Sequence, residues 1–256
     1  MIQLFVFGLG YTAKRIADRA VSAGWQVRAT GSDGDLDFAD SDAVRAALAE
    51  TDLVLSSAPP GEEGDPVLAR YSEALGGKRL AYLSSTGVYG DTGGAWVDES
   101  APTGTGRRTS RAEADSRWLA LGARVFRLPG IYGPDRSAFE RVASGKAHRI
   151  DLPGQVFSRV HVEDIAQGVM AGWDALPGAY NLADDLPASQ NAVIEEACRL
   201  MGREPPPLVT LDEAGLSPMA RGFYEENRRV ANGKAKRMLG FRPLYPTYRE
   251  GLRSLL

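Results

Sequence analysis

The stretch QLFVFGLGYTAKRIADRA, residues 3–20, decides how the rest of the chain is read. Ile2–Phe7 reads as an apolar run, interrupted only at Gln3, as expected of a strand buried on both faces. Gly8-Leu9-Gly10-Tyr11-Thr12-Ala13 then fits the pattern G-x-G-x-x-G/A, with Ala13 in the third place. A glycine at 8 permits a tight turn, and one at 10 lets a diphosphate approach the backbone. A small residue at 13 lets the following helix pack close to the strand. Ile16, Ala20 and Ala23 share one helical face, and Gly24 is a stop signal. A helix starting near Tyr11 and Thr12 presents free N–H groups and the positive end of its dipole to phosphates. The reading is a dinucleotide site made by Gly8, Gly10, Tyr11, Thr12 and Ala13.

Working outward, the alternation continues. Strands are predicted at Gln26–Thr30, Asp52–Ser57, Leu80–Ser84 and Ala123–Leu128, and helices at Asp42–Ala49, Pro66–Leu75 and Arg108–Ala120. Such alternation predicts an α/β fold, a Rossmann-like doubly wound parallel sheet with right-handed crossovers. After Pro129 the rhythm changes: PGIYGPDRS, DLPGQV and MGREPPPL are rich in glycine and proline and read as loops. Helices are predicted at Glu163–Asp174 and Asn191–Met201, a short strand at Gly178–Leu182, and short helices at Lys234–Leu239 and Tyr248–Leu255. The expected organisation is an NAD(P)-binding Rossmann domain over residues 1–150, its sheet completed by parts of 155–185. Residues 186–256 then form a small C-terminal substrate lobe.

The 256 residues are 43% hydrophobic and 25% charged, with a formal net charge of −3. That balance gives no electrostatic reason to expect nucleic acid or an anionic membrane as partner. The lone Cys198 excludes an intrachain disulfide and lies in a helical pattern where it packs as a small apolar residue. No apolar run reaches the ~18 residues of a membrane span. The start lacks a basic segment before its apolar run, so no signal peptide is expected and the location is read as cytoplasmic. His148, His161 and Cys198 offer no metal-ligand spacing, and no metal is expected.

LSSTGVYG, residues 83–90, ends the fourth strand. With the glycine loop and, in order, WVDESAP (96–102), FRLPGIYGP (126–134), SRVHVEDIA (158–166), YNLADD (180–185) and LGFRPLYPTYREGL (239–252), it carries a resemblance covering nearly the whole chain. The chain resembles the extended or atypical short-chain dehydrogenase/reductases, the NAD-dependent epimerase/dehydratase family. The resemblance implies a Ser or Thr that hydrogen-bonds the substrate oxygen, a Tyr that passes the proton, and a Lys that holds the ribose and lowers the Tyr pKa. Ser85, with Thr86 beside it, takes the first place. Arg107 stands at the Tyr place and Arg111 at the Lys place, because no tyrosine lies between Tyr89 and Tyr132 and no lysine between Lys78 and Lys146. Arg111 can supply charge and ribose hydrogen bonds. Arg107 cannot replace a phenol, since a guanidinium stays protonated, but it could stabilise negative charge or grip a carboxylate or phosphate.

Two rescues stay open: a phenol from Tyr89 or Tyr132, or hydride transfer with an arginine polarising a carbonyl. The resemblance further implies that Asp37 touches adenine, that Ala58 and Pro59 line the nicotinamide side, and that Pro129, Gly130 and Ile131 lie beside the nicotinamide. At the end of the second strand stand Gly31 and Ser32, with Asp33 one or two residues late for the acid that would bind a ribose 2′-OH. Lys14 and Arg15 follow the glycine loop, so the cofactor, NADP or NAD, leans to NADP. Arg136 and Arg159 flank the expected cleft and suit an anionic substrate group, with Tyr89 and Tyr132 as further substrate contacts. His161 is expected to be structural. The expected function is an NAD(P)-binding oxidoreductase or epimerase/dehydratase-like enzyme acting on a small polar, sugar-like substrate. The alternative is a non-catalytic dinucleotide sensor or scaffold. Relatives often pair through Rossmann-domain helices, which leaves a homodimer open.

Overall fold

The computed structural model of the chain describes residues 1–107 and 109–256. Arg108, where a helix was expected to start, lies outside them. The elements run β1 Gln3–Phe7, α1 Tyr11–Ser22, β2 Gln26–Ala29, α2 Ser41–Ala49, β3 Leu53–Ser56, α3 Pro66–Tyr71, β4 Arg79–Ser85, β5 Trp96–Val97, α4 Thr109–Ala120, β6 Arg124–Leu128 and β7 Gly130–Tyr132. They continue with α5 Ala138–Ala143, β8 Arg149–Ile150, β9 Arg159–His161, α6 Val162–Gly172, β10 Gly178–Asn181, α7 Gln190–Leu200, β11 Leu208–Val209, α8 Pro218–Gly222, β12 Arg229–Val230, α9 Gly233–Leu239 and α10 Tyr248–Arg253.

Among the described residues six strands form the main sheet, all parallel, in the order β10-β6-β4-β3-β1-β2. Alternation along β1 shows why helices cover both faces. Leu4 and Val6 join one core with Ala13, Ile16 and Ala20 of α1 and Ile165 and Val169 of α6. Phe5 and Phe7 join the other, with Val44 and Leu48 of α2, Tyr71 of α3 and Trp118 of α4. The helix starts follow local chemistry. Asp40 accepts the Ala43 N–H at 3.1 Å, and Asp65 accepts those of Val67 and Leu68 at 2.9 Å just ahead of Pro66. Asp65 also accepts the Trp118 Nε1–H at 2.8 Å, tying α3 to α4.

Beneath the end of β4, Arg127 of β6 meets Asp115 of α4 through Nη2 at 2.7 Å and Nε at 3.0 Å, and the Ser84 hydroxyl donates to the same carboxylate at 2.6 Å. All three side chains are buried. A bidentate guanidinium–carboxylate pair with a third donor satisfies charges that would otherwise be costly to desolvate.

The second lobe differs from the expectation in one respect. The stretch that follows the expected loop at 129–137 forms α5, where no helix was expected; its capping box has Ser137 bonded to the Phe139 N–H and Glu140 accepting the Ser137 N–H. Ala138 and Val142 of α5 pack with Ile194, Ala197 and Cys198 of α7 and Leu252 of α10. The lobe therefore draws on residues ahead of 150, because α5 buries its apolar face there and not on the sheet. Conversely, Ala235 and Leu239 of α9 and Phe241 pack into the sheet's own core. Among the described residues no helix is long and apolar enough to cross a membrane.

Candidate dinucleotide groove and substrate cleft

The turn after β1 forms one wall of a groove of about 290 Å³ lined by Gly8, Gly10, Tyr11, Thr12, Ser32 and Pro59, among others. Gly8 has φ 83°, and a Cβ there would sit 3.1 Å from the Ala58 nitrogen. The turn is pinned to β2: Gly8 and Leu9 N–H both donate to the Thr30 carbonyl, at 3.1 and 2.7 Å. At Gly10 a Cβ would meet nothing within 4 Å, so its absence keeps the groove open. Gly10 caps α1 with no side-chain bond, and no acid stands in the first turn. The positive end of the helix thus faces the groove uncompensated, as an anion site requires. Ala13 is fully buried under the turn. These features fit a dinucleotide diphosphate.

A larger cleft of about 880 Å³ adjoins the groove; Thr12, Ser57 and Arg136 line both. Its floor is the end of β4. Ser85 accepts the Gly87 N–H at 3.1 Å, which starts a short 3-10 turn, and Ser85 and Thr86 both line the cleft. Arg111, Pro129, Ile131, Tyr132 and Arg159 line it as well. The β7–β9 pairing brings Ile131 beside Val160 and so joins the two loops. Arg111 donates to the Tyr82 hydroxyl at 3.2 Å; burial raises that phenol to about 12.

Several expected site residues lie elsewhere. Arg107 is outside the cleft lining. Its N–H donates to Glu226 at 3.0 Å, its Nε pairs with the same carboxylate at 3.4 Å, and its guanidinium stands over the Phe223 ring. Tyr89 is buried below β4, where its hydroxyl meets Arg127 at 3.0 Å and Asn181 at 2.8 Å. Its phenol thus belongs to the ion-pair network, outside the cleft lining. Tyr132 offers its ring to the cleft, but its hydroxyl is buried without a partner beside Gly251, and burial raises its pKa. Asp37 lies outside both linings and accepts the Ala39 N–H at 2.9 Å. Ala58 sits behind Gly8. Arg136, by contrast, lines both groove and cleft, its guanidinium over the Tyr11 ring. Asp33 is paired with Lys14 at 3.0 Å, both exposed.

His161 caps α6 by accepting the Glu163 N–H at 3.2 Å and packs between the rings of Tyr132 and Tyr245. Burial holds its pKa down to about 4. Sequence reasoning missed Phe157, Gln190, Tyr224 and Arg228, which also line the cleft. They come from loops and lobe helices, and no spacing rule ties them to the glycine turn. The described residues hold no cluster of His, Cys, Asp and Glu suited to a metal.

Comparison with known proteins follows from this geometry. No family model matches the chain. A functionally unknown conserved protein from Silicibacter pomeroyi is 41% identical, with a TM-score of 0.89, covering 100% of this chain and 98% of its own. The dTDP-glucose 4,6-dehydratase of Bacillus anthracis, solved with NAD, superposes with a TM-score of 0.78 at 17% identity over 100% of this chain and 95% of its own. The chain has the NAD-dependent epimerase/dehydratase fold. A Streptomyces protein, 3-diazoavenalumate denitrifying reductase, is 28% identical over 212 residues, 74% of this chain and 69% of its own. In this epimerase/dehydratase fold, then, a Rossmann sheet carries the glycine turn, and the second lobe closes the cleft over Ser85.

Proposed function

We propose that the chain is a nicotinamide-dinucleotide-dependent oxidoreductase acting on a small polar substrate, with NADP favoured over NAD. One observation carries the reading: the phosphate groove and the Ser85 cleft are continuous through Thr12, Ser57 and Arg136. Gly8, Gly10, Thr12 and the first turn of α1 would hold the diphosphate, and Pro129 and Ile131 would flank the nicotinamide. Bound there, the nicotinamide supplies or accepts a hydride. Arg111 would hold the ribose through its remaining N–H donors. The Ser85 hydroxyl accepts from Gly87 and keeps its own proton to donate to a substrate oxygen. Ser32 lines the groove at the end of β2, and Lys14, paired with Asp33 beside it, would supply positive charge to a 2′-phosphate.

The reductase name and the dehydratase name of two similar proteins support this class of chemistry. The sugar-like narrowing of the substrate rests on the resemblance alone. Since Arg107 faces Glu226, the reading leaves it out of the chemistry and lets the reaction run without the usual phenol. That displacement also supports the second reading, a dinucleotide sensor without turnover. Calorimetric titration with NADPH and NADH tests both readings, and binding of neither at millimolar concentration would falsify both. A screen for cofactor oxidation then separates them: turnover lost in Ser85→Ala establishes the enzyme, and tight binding without hydride exchange establishes the sensor.

A further inference from the structure

Arg159 is 7% exposed and lines the cleft. Its Nη1 donates to the carbonyls of Phe157 and Ala188 at 2.9 and 2.8 Å, and its Nη2 donates to Gln190 Oε1 at 3.1 Å. A guanidinium has five N–H donors, so the Nε–H and one Nη2–H remain. These two nitrogens form the side edge of the fork, the edge that matches the two oxygens of a carboxylate. Among the described residues only one other arginine is buried, Arg127, and it is held by Asp115 at 2.7 Å; Arg159 makes no ion pair.

The nearest acid does not fill the role. The Asp184 N–H donates to the Arg159 carbonyl at 2.7 Å, but the Asp184 carboxyl is buried with one oxygen unpartnered. Burial pushes its pKa up to about 8 against the lowering pull of the Arg159 charge. Burial raises the phenols of Tyr132 and Tyr224 beside Arg159, so both are neutral. Burial pulls Arg159 down to about 10 although the Asp184 carboxyl raises it, the mark of a cation whose desolvation its one nearby acid does not offset. Such a charge is costly to bury unless an anion meets it.

The rest of the lining points the same way. Arg111, Arg136, Arg141, Lys146, Arg159 and Arg228 face it against Asp135, Glu140 and Glu226, in a chain whose overall charge is negative. Of those acids, Glu140 is taken up by Ser137, and Glu226 by Arg107 and Arg228. Beside Arg159 the wall is apolar: the Phe157 and Tyr224 rings meet edge to face at 5.4 Å, with Val193 and Ile194 of α7 near them.

We propose that this cleft takes a small organic carboxylate with an aromatic or aliphatic body, the carboxylate gripped by Nε and Nη2 of Arg159 and the body laid against Phe157, Tyr224 and Ile194. The proposal rests on the oxidoreductase reading and narrows its substrate. The test is calorimetry on the full chain saturated with NADP⁺, titrating phenylacetate, phenylacetamide, phenyl phosphate and UDP-glucose. The acid is expected to bind at least tenfold tighter than its amide. Arg159→Met should erase that preference. Arg159→Lys, which keeps the charge in a fold-compatible shape but loses the fork, should weaken the acid several-fold. Equal binding of acid and amide overturns the proposal, as does tighter binding of phenyl phosphate or UDP-glucose, or undiminished acid preference in Arg159→Lys. NADP⁺ is titrated alone first: its failure to bind removes the cofactor reading, and the acid–amide comparison is then made on the cofactor-free protein.

Discussion

Gly31→Ala tests whether the end of β2 sets the shape of the phosphate turn. Gly31 has φ 120°, and a Cβ there would lie 2.5 Å from the Leu9 nitrogen, with Gly8 atoms at 3.1 and 3.2 Å. An ordinary contact begins near 3.4 Å, so the Leu9 nitrogen would have to retreat by about 0.9 Å. That movement pulls against the two bonds from Gly8 and Leu9 to the Thr30 carbonyl. The backbone strain alone is of order 1–3 kcal/mol, which in a chain of this size lowers Tm by roughly 2–4 °C per kcal/mol. A misplacement near 1 Å in a positioning element can cost on the order of a hundredfold. We therefore expect the NADPH Kd to rise about 10- to 100-fold, or roughly 1.4–2.7 kcal/mol. Gly24→Ala is the control: φ is 81° but the Cβ meets nothing within 4 Å. It should cost about 1–2 kcal/mol of stability and leave the Kd unchanged. Isothermal titration and thermal unfolding of both variants decide the matter. A Gly31→Ala protein that binds NADPH within twofold of the parent, or a Gly24→Ala protein weakened equally, refutes the reasoning.

Ser85→Ala should lower kcat by roughly 100-fold or more, the cost of one lost donor to a developing oxyanion, while the NADPH Kd stays within about twofold; absorbance of the reduced cofactor and titration measure the two. Asp115→Ala strands the buried Arg127 charge and should destabilise by about 3–5 kcal/mol in urea unfolding, whereas Asp115→Leu with Arg127→Met should recover most of the loss. His161 has its pKa held near 4 against an ordinary 6.5. A depressed value means that stability is full above 6.5 and is lost as pH falls toward 4, by about 3 kcal/mol. His161→Asn, whose side-chain oxygen can take over the cap made by the imidazole Nδ1, should flatten that part of the stability–pH curve. Ser32→Asp places an acid in the groove and should shift the preference from NADPH toward NADH in paired titrations.

What was legible in the sequence is what the backbone dictates. Gly8 and Gly10 are glycines because main chain or ligand must come close, and that need shows in the letters themselves. The apolar runs of β1 and β3 are buried on both faces, so their class is plain without any partner. Where the reading fell short, a side chain's role depends on a distant packing partner. Tyr89 is spaced like a substrate contact, yet Arg127 and Asn181 hold it beneath the sheet. Arg159 reads as a cation flanking the cleft, but its burial rests on distant packing partners, with Gln190 of α7 and Tyr224 in the same lining. The capping box at Ser137 and Glu140 was the signal that could have found α5.

The division of the cleft walls among stretches as far apart as Leu83 and Leu252 has a consequence for partial unfolding. Were α10 alone to detach, the cleft would lose the helix that packs with Ile194, while the phosphate turn, pinned to Thr30, would keep its shape. The groove and the cleft can thus fail separately, although they share Thr12, Ser57 and Arg136.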